Sequence, residues 1–118
     1  MTRFKLKLNQ NEMKALAGGC TLAARNIEKP GNAAELAMVE TCERLWSRLR
    51  NIYRPDRDKY TIRLSAMEVH VLAYYVLTWL RNTNEPYLRT MGYNLQEELR
   101  KQEEREVNVF NAMRYGNE

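Results

Sequence analysis

Two short segments of this 118-residue chain, RFKLKL at 3–8 and KYTIRL at 59–64, alternate polar with apolar residues. A period of two is typical of a β-strand, whose successive side chains point to opposite faces. Five of the six polar-face residues are basic and the sixth is a threonine: Arg3, Lys5, Lys7, Lys59, Thr61 and Arg63. Lysine and arginine bind phosphates and, in the DNA major groove, guanine edges, while threonine contacts several bases. These six residues are the candidate binding surface.

The two segments open a longer internal repeat with an offset of 56 residues. FKLKLNQNEMKALA at 4–17 aligns with YTIRLSAMEVHVLA at 60–73. In each copy a capping box follows the strand: a side-chain oxygen caps the helix, and a glutamate three residues on reaches back. Because a repeat governs how a chain can be arranged, we predict one domain over 1–118, built from units at about 3–53 and 59–115.

The apolar residues between these signals recur at helical spacing. They predict four main helices, at about 10–26, 32–52, 66–81 and 95–115, with a short helical turn at 86–91 and further capping boxes at Asn32 and Asn94. Since a lone strand leaves its backbone groups unpaired, we expect the two strands to pair on a helical layer. The predicted fold class is α+β, mostly α-helical, with duplicated strand–helix–helix units and a two-stranded antiparallel ribbon.

Both repeat sequences resemble the opening of a ribbon-helix-helix DNA-binding domain, a family with an alternating strand, a helix, a glycine-containing turn and a second helix. The segment Pro30-Gly31-Asn32, followed by Glu35, is similar to the inter-helix turn of that family. The resemblance covers about two thirds of the chain and implies a fused version of the family's intertwined dimer. It implies a phosphate contact for Asn32 and places four residues at base-reading positions: Lys5, Lys7, Thr61 and Arg63.

Two other interpretations of the same residues stay open. Exposed strands carry lysine because charge prevents edge-to-edge aggregation, so a solvated basic face needs no ligand. Alternatively, the protein is a helical interaction or accessory module without nucleic acid. Its last helix has a thin apolar stripe, interrupted around 102–106, where the helix is either solvated or pairs with a protein partner or a second copy: Leu95, Leu99, Val107 and Phe110.

Enzymatic chemistry finds little support in the sequence. A single histidine, His70, limits general acid–base catalysis, and we find no catalytic triad, phosphate loop, metal spacing or cofactor motif. Cys20 and Cys42 are expected to be small buried hydrophobes, with a disulfide or a reactive thiol as the alternatives. The net charge of +4 permits an anionic partner without requiring one. With no membrane span and no secretory signal, we expect a cytoplasmic protein.

Two glycines and several aromatic residues test the repeat further. Gly18 and Gly19 occupy the repeat positions of Tyr74 and Tyr75. Either the glycines make room for rings from the other half, or they are a local weakening near a helix end. Aromatic residues at helical spacing are mostly expected in the core, including Trp46 and Trp79.

Overall fold

The computed structural model describes residues 4–116 and has the predicted class, α+β and mostly helical. Two strands, β1 (Phe4–Asn9) and β2 (Lys59–Leu64), form a two-stranded sheet. The helices are α1 (Gln10–Arg25), α2 (Ala33–Ile52), α3 (Ala66–Val71), α4 (Leu77–Arg81) and α5 (Pro86–Tyr115), with a π-helical turn (Leu72–Val76) that joins α3 to α4. Each strand is therefore followed by a pair of helices.

The predicted pairing of the two strands is confirmed. β1 and β2 run antiparallel, with Leu6 opposite Ile62 and Lys7 opposite Thr61. Residues directly opposite each other in an antiparallel ladder share one face, so the apolar positions of both strands point the same way. That inner face is buried: Leu6, Leu8, Tyr60, Ile62 and Leu64.

A capping box turns each strand directly into a helix, as predicted. Asn9 Oδ1 accepts from the backbone N–H of Glu12, whose carboxylate accepts from the N–H of Asn9, both at 2.8 Å. Ser65 and Glu68 make the equivalent pair at 2.8 and 3.2 Å. The first turns of α1 and α3 are thus fixed at the ribbon, and α2 and α5 return from the far ends of these helices to form one shared core.

The last helix starts earlier than predicted. α5 begins at Pro86, where the Glu85 side chain caps it, and runs without a break through Gly92 and Asn94. The separate turn at 86–91 and the cap at Asn94 are therefore wrong. Gly92 is kept inside the helix because a Cβ there would lie 3.0 Å from Leu80 Cβ and 3.2 Å from Leu77 O. The glycine lets α4 and α5 approach closely.

The helix predicted at 66–81 contains a π turn that its sequence pattern does not reveal. The N–H of Leu77 donates to the carbonyl of Leu72, five residues back, so it does not bond to the Ala73 carbonyl. The side-chain amide of Gln96, from α5, donates to that carbonyl instead. Gln96 is 1% exposed, and its oxygen accepts from Arg81 at 2.6 Å. A buried polar side chain therefore satisfies the backbone group that the π turn releases.

The ribbon covers part of the section around 102–106 of the last helix, which we expected either to be solvated or to pair with a partner. Leu95 and Leu99 are buried in the core, so they cannot belong to a partner surface as we predicted. Gln102 continues their stripe and is 8% exposed. Its side chain accepts from Lys5 N at 3.0 Å and donates to Lys5 O at 2.7 Å. α5 thereby satisfies backbone groups at the outer edge of β1.

Gly18 and Gly19 have different surroundings, and several aromatic residues expected in the core lie on the surface. A Cβ on Gly19 would lie 3.0 Å from Val76 Cγ1, so this glycine does make room for the other half, although not for a tyrosine ring. Gly18 is exposed and has nothing within 4 Å of its Cβ position. Trp46, Tyr74 and Tyr75 are exposed, contrary to prediction, and Trp79 is half-buried. Within residues 4–116, no helix is long and apolar enough to cross a membrane.

Two glycine substitutions should change stability in opposite directions. Gly18→Ala should raise the free energy of unfolding by about 0.5–1 kcal/mol, because alanine favours an exposed helix interior and meets no neighbour. Gly92→Ala should lower it by about 1–3 kcal/mol, because its methyl group would press on the backbone of α4. Urea unfolding of both variants measures the difference. A Gly92→Ala variant as stable as wild type would contradict the close packing of α4 on α5.

Candidate nucleic-acid interface

The outward face of the ribbon brings together every described residue that the sequence predicted for it. Lys5 lies opposite Arg63, Lys7 opposite Thr61, and Lys59 opposite Asn9. The five predicted residues in these pairs, and Asn9 with them, point away from the core and are exposed. Arg3 lies outside the described residues. Residues two apart on one strand are about 7 Å apart, so the four cations occupy a small surface.

The positive charge of this face is not neutralised by the rest of the described chain. Within residues 4–116, Lys5, Lys7, Lys59 and Arg63 form no ion pair, whereas Arg48 pairs with Glu68 at 3.2 Å. Like charges directly opposite each other destabilise a sheet, and Lys5 and Arg63 are such a pair. The Lys5–Arg63 pair therefore carries an electrostatic cost that no ion pair within residues 4–116 offsets.

Both edges of the ribbon are held by side chains from the second helix of each half. On the β1 edge, the Gln102 amide makes its two bonds to Lys5. On the β2 edge, Arg48 Nη2 donates to the Arg63 carbonyl at 3.0 Å. Neither contact was predicted from the sequence. Gln102 could have been found, because it continues the Leu95–Leu99 stripe; Arg48 offers no such signal, since its target is a backbone carbonyl.

The carboxylates nearest to the ribbon are mostly engaged. Glu12 and Glu68 accept from the backbone N–H groups of the N-cap residues of α1 and α3. Glu98 accepts from the Gln102 side-chain amide at 2.9 Å. The acidic side chains of α5 run beside the β1 edge, which would repel a polyanion. A shallow groove on α5 itself is balanced in charge, since two acidic and two basic side chains line it: Glu98, Lys101, Glu104 and Arg105.

Asn32 does not belong to this surface. It caps α2, where its side-chain oxygen accepts from the N–H of Glu35 at 2.9 Å. The Glu35 carboxylate accepts from the N–H of Gly31 at 3.1 Å, so the predicted capping box is only half formed. α2 meets the ribbon at Arg48, sixteen residues further along. At 1.5 Å per residue this is about 24 Å from the cap, so Asn32 lies well apart from the basic face.

A cavity of about 700 Å³ lies between α1 and α2 at the far side of the fold from the ribbon face, and Cys20, Cys42 and Trp46 line it. Both cysteines are free and buried, as expected for small hydrophobes. The neighbouring Cys42 thiol and burial raise the pKa of the Cys20 thiol, which keeps it protonated and unreactive. The only histidine, His70, packs against Tyr74 with the rings tilted by 41° and their centroids 5.1 Å apart. Among residues 4–116, no group of three or more metal-ligating His, Cys, Asp or Glu side chains is found.

Comparison with known proteins returns no match: no family model, no curated protein and no solved structure is significantly similar to this chain. The ribbon-helix-helix resemblance stays a prediction from two short repeat sequences. The function has to be argued from the ribbon face itself.

The like-charge pair on the ribbon should be measurable without any ligand. Lys5→Gln should raise the free energy of unfolding by about 0.2–1 kcal/mol at low salt, because it removes the repulsion with Arg63. The gain should shrink in 1 M salt, where exposed charges are screened. Lys29→Gln, on the turn between α1 and α2, is the matched control with no change expected. If Lys5→Gln were as stable as wild type at low salt, the repulsion would be absent.

Proposed function

We propose that this protein binds double-stranded DNA by placing the outward face of its ribbon in the major groove. The observation that supports this most is the cluster of four unpaired cations on a face whose two edges are already held. The face spans about 14 Å along the strands, and the strands are about 5 Å apart. A two-stranded ribbon of these dimensions fits the major groove, which is about 12 Å wide.

The positions on the face suggest separate tasks. Lys5 and Arg63, opposite each other at one end, can donate to the O6 and N7 acceptors of guanine. Lys7 and Thr61 form the central pair, where the threonine hydroxyl and methyl groups suit several bases. Lys59 lies at the other end beside the turn, where a cation is placed to contact phosphate.

The solvated-face interpretation explains this arrangement less well. Lysine protects a sheet when it blocks an open edge from pairing with another strand. Here Gln102 and Arg48 each bond to one residue of an edge, Lys5 and Arg63, and the cations lie together on the face of the sheet. Since the Lys5–Arg63 pair is unfavourable in the free protein, a polyanionic ligand is the simplest reason for its presence.

DNA binding should be detected by fluorescence anisotropy with a labelled mixed-sequence duplex at low salt. Each phosphate contact releases counterions, so log K should fall with log salt by about 0.9 per contact. Replacing Lys5, Lys7 and Arg63 by alanine should abolish binding and leave the circular dichroism spectrum unchanged, because all three side chains are exposed.

A matched triple variant controls for the lost charge. Arg25, Lys29 and Arg89 are exposed and lie in or near the turns that connect the helices, away from the ribbon. Their replacement by alanine removes the same net charge and should weaken binding only slightly. Equal loss in both triple variants would show non-specific attraction to the whole protein. No binding by wild type at low salt would overturn the proposal.

A second candidate function is that of a helical interaction module without nucleic acid. It is favoured by the end of α5, where Val107 and Phe110 are exposed, in agreement with two of the four residues predicted for such a surface. The two functions use different surfaces, so one does not exclude the other.

A further inference from the structure

The last part of α5 has no counterpart to pack against within the described chain. Every residue from 107 to 116, here called the α5 terminal segment, is exposed. Three of its side chains are large, apolar and more than half exposed on one helix face: Val107 at 51%, Phe110 at 54% and Met113 at 73%. The radius of gyration, 15.1 Å, exceeds the 13–14 Å or so expected for a compact domain of this length, which agrees with a helix that projects.

This apolar face closes one side of a groove of about 680 Å³. The opposite side is formed by the end of the ribbon and the start of α3, through Phe4 and Ala66. The groove is therefore open to solvent and mostly apolar, with charge at its ends. An exposed apolar surface of this kind marks an interaction site in a protein that is otherwise well packed.

We infer that the α5 terminal segment is a dimer interface, on which the same segment of a second copy packs antiparallel. With the twofold axis at Phe110, Val107 of one copy meets Met113 of the other, and the two Phe110 rings meet at the centre. An interface of this kind is self-complementary, as closed twofold symmetry requires. The ring of each Phe110 then enters the groove beside Phe4 of the other copy.

The charges on the same face favour a second copy in this orientation. Glu106 and Arg114 both line the groove, near the two ends of the apolar face. With the twofold axis at Phe110, antiparallel packing brings Arg114 of each copy opposite Glu106 of the other, in the acidic turn at 103–106, whereas parallel packing would place like charges together. Arg114 already lies over its own Phe110 ring, 5.7 Å from the centroid, so it can cover the edge of the interface without moving far.

The size of the face sets the strength of the dimer. The segment is ten residues long, or about 15 Å of helix with a width of about 10 Å. Two such faces, even with the ribbon ends included, bury an area typical of weak complexes, below about 1,200 Å². The dimer should therefore form and dissociate with concentration.

Sedimentation equilibrium without DNA tests the inference. The average mass should rise with concentration from the 14.0 kDa of one chain toward twice that value. Phe110→Glu should weaken the dimer at least tenfold, because it places two carboxylates at the centre of the interface. Tyr87→Glu, at the opposite end of α5 and 48% exposed, is the matched control and should dimerise like wild type.

Arg114→Glu tests the orientation. It should weaken an antiparallel dimer several-fold, because it repels the acidic turn, but it would leave the charge balance of a parallel dimer unchanged. A wild type that stays monomeric at the highest concentration, a Phe110→Glu variant that dimerises normally, or an unaffected Arg114→Glu variant would each overturn the antiparallel dimer. Because no DNA is present, failure here leaves the ribbon proposal standing, and Phe110→Glu should still bind duplex DNA.

Discussion

The pairing of the two strands is the constraint on which the rest of the structure depends. Each strand has six residues, and neither has another strand to pair with in the described chain. An unpaired strand would leave its backbone groups without partners, so segments 56 residues apart in the sequence must meet. Both helical pairs start from this ribbon through capping boxes, which fixes where α1 and α3 begin and brings the two halves onto one core.

Two polar side chains form hydrogen bonds with backbone groups that the ribbon and the helices leave unpaired. Gln102 bonds to the outer edge of β1, and Gln96 bonds to the carbonyl that the π turn releases. Both belong to α5, so one helix secures the ribbon and the central helix together. A buried amide left without its partner would cost more than its bond contributes, which makes these two glutamines structural although they lie in a charged helix.

The ribbon could be predicted from the sequence because its signals are local: period-two alternation and capping boxes at equivalent positions, Asn9–Glu12 and Ser65–Glu68. The start of α5 and the π turn could not, because both depend on packing between halves. Gly92 looks like a break until Leu80 is seen beside it, and nothing near Ala73 in the sequence indicates Gln96. For the site, the basic face was predicted residue by residue, whereas the role expected for Asn32 came from a resemblance and stays a prediction, since Asn32 caps α2 away from that face.

The ribbon face and the α5 terminal segment share one physical property: each is unfavourable in an isolated molecule. Like charges repel where Lys5 faces Arg63, and apolar surface meets water at Phe110 and Met113. Elsewhere in the described chain, buried side-chain polar atoms have partners and the apolar core is closed. The two proposals answer to these two costs separately. A polyanion on the ribbon face would offset the repulsion between Lys5 and Arg63, and a second copy of the α5 terminal segment would cover the apolar surface at Phe110 and Met113.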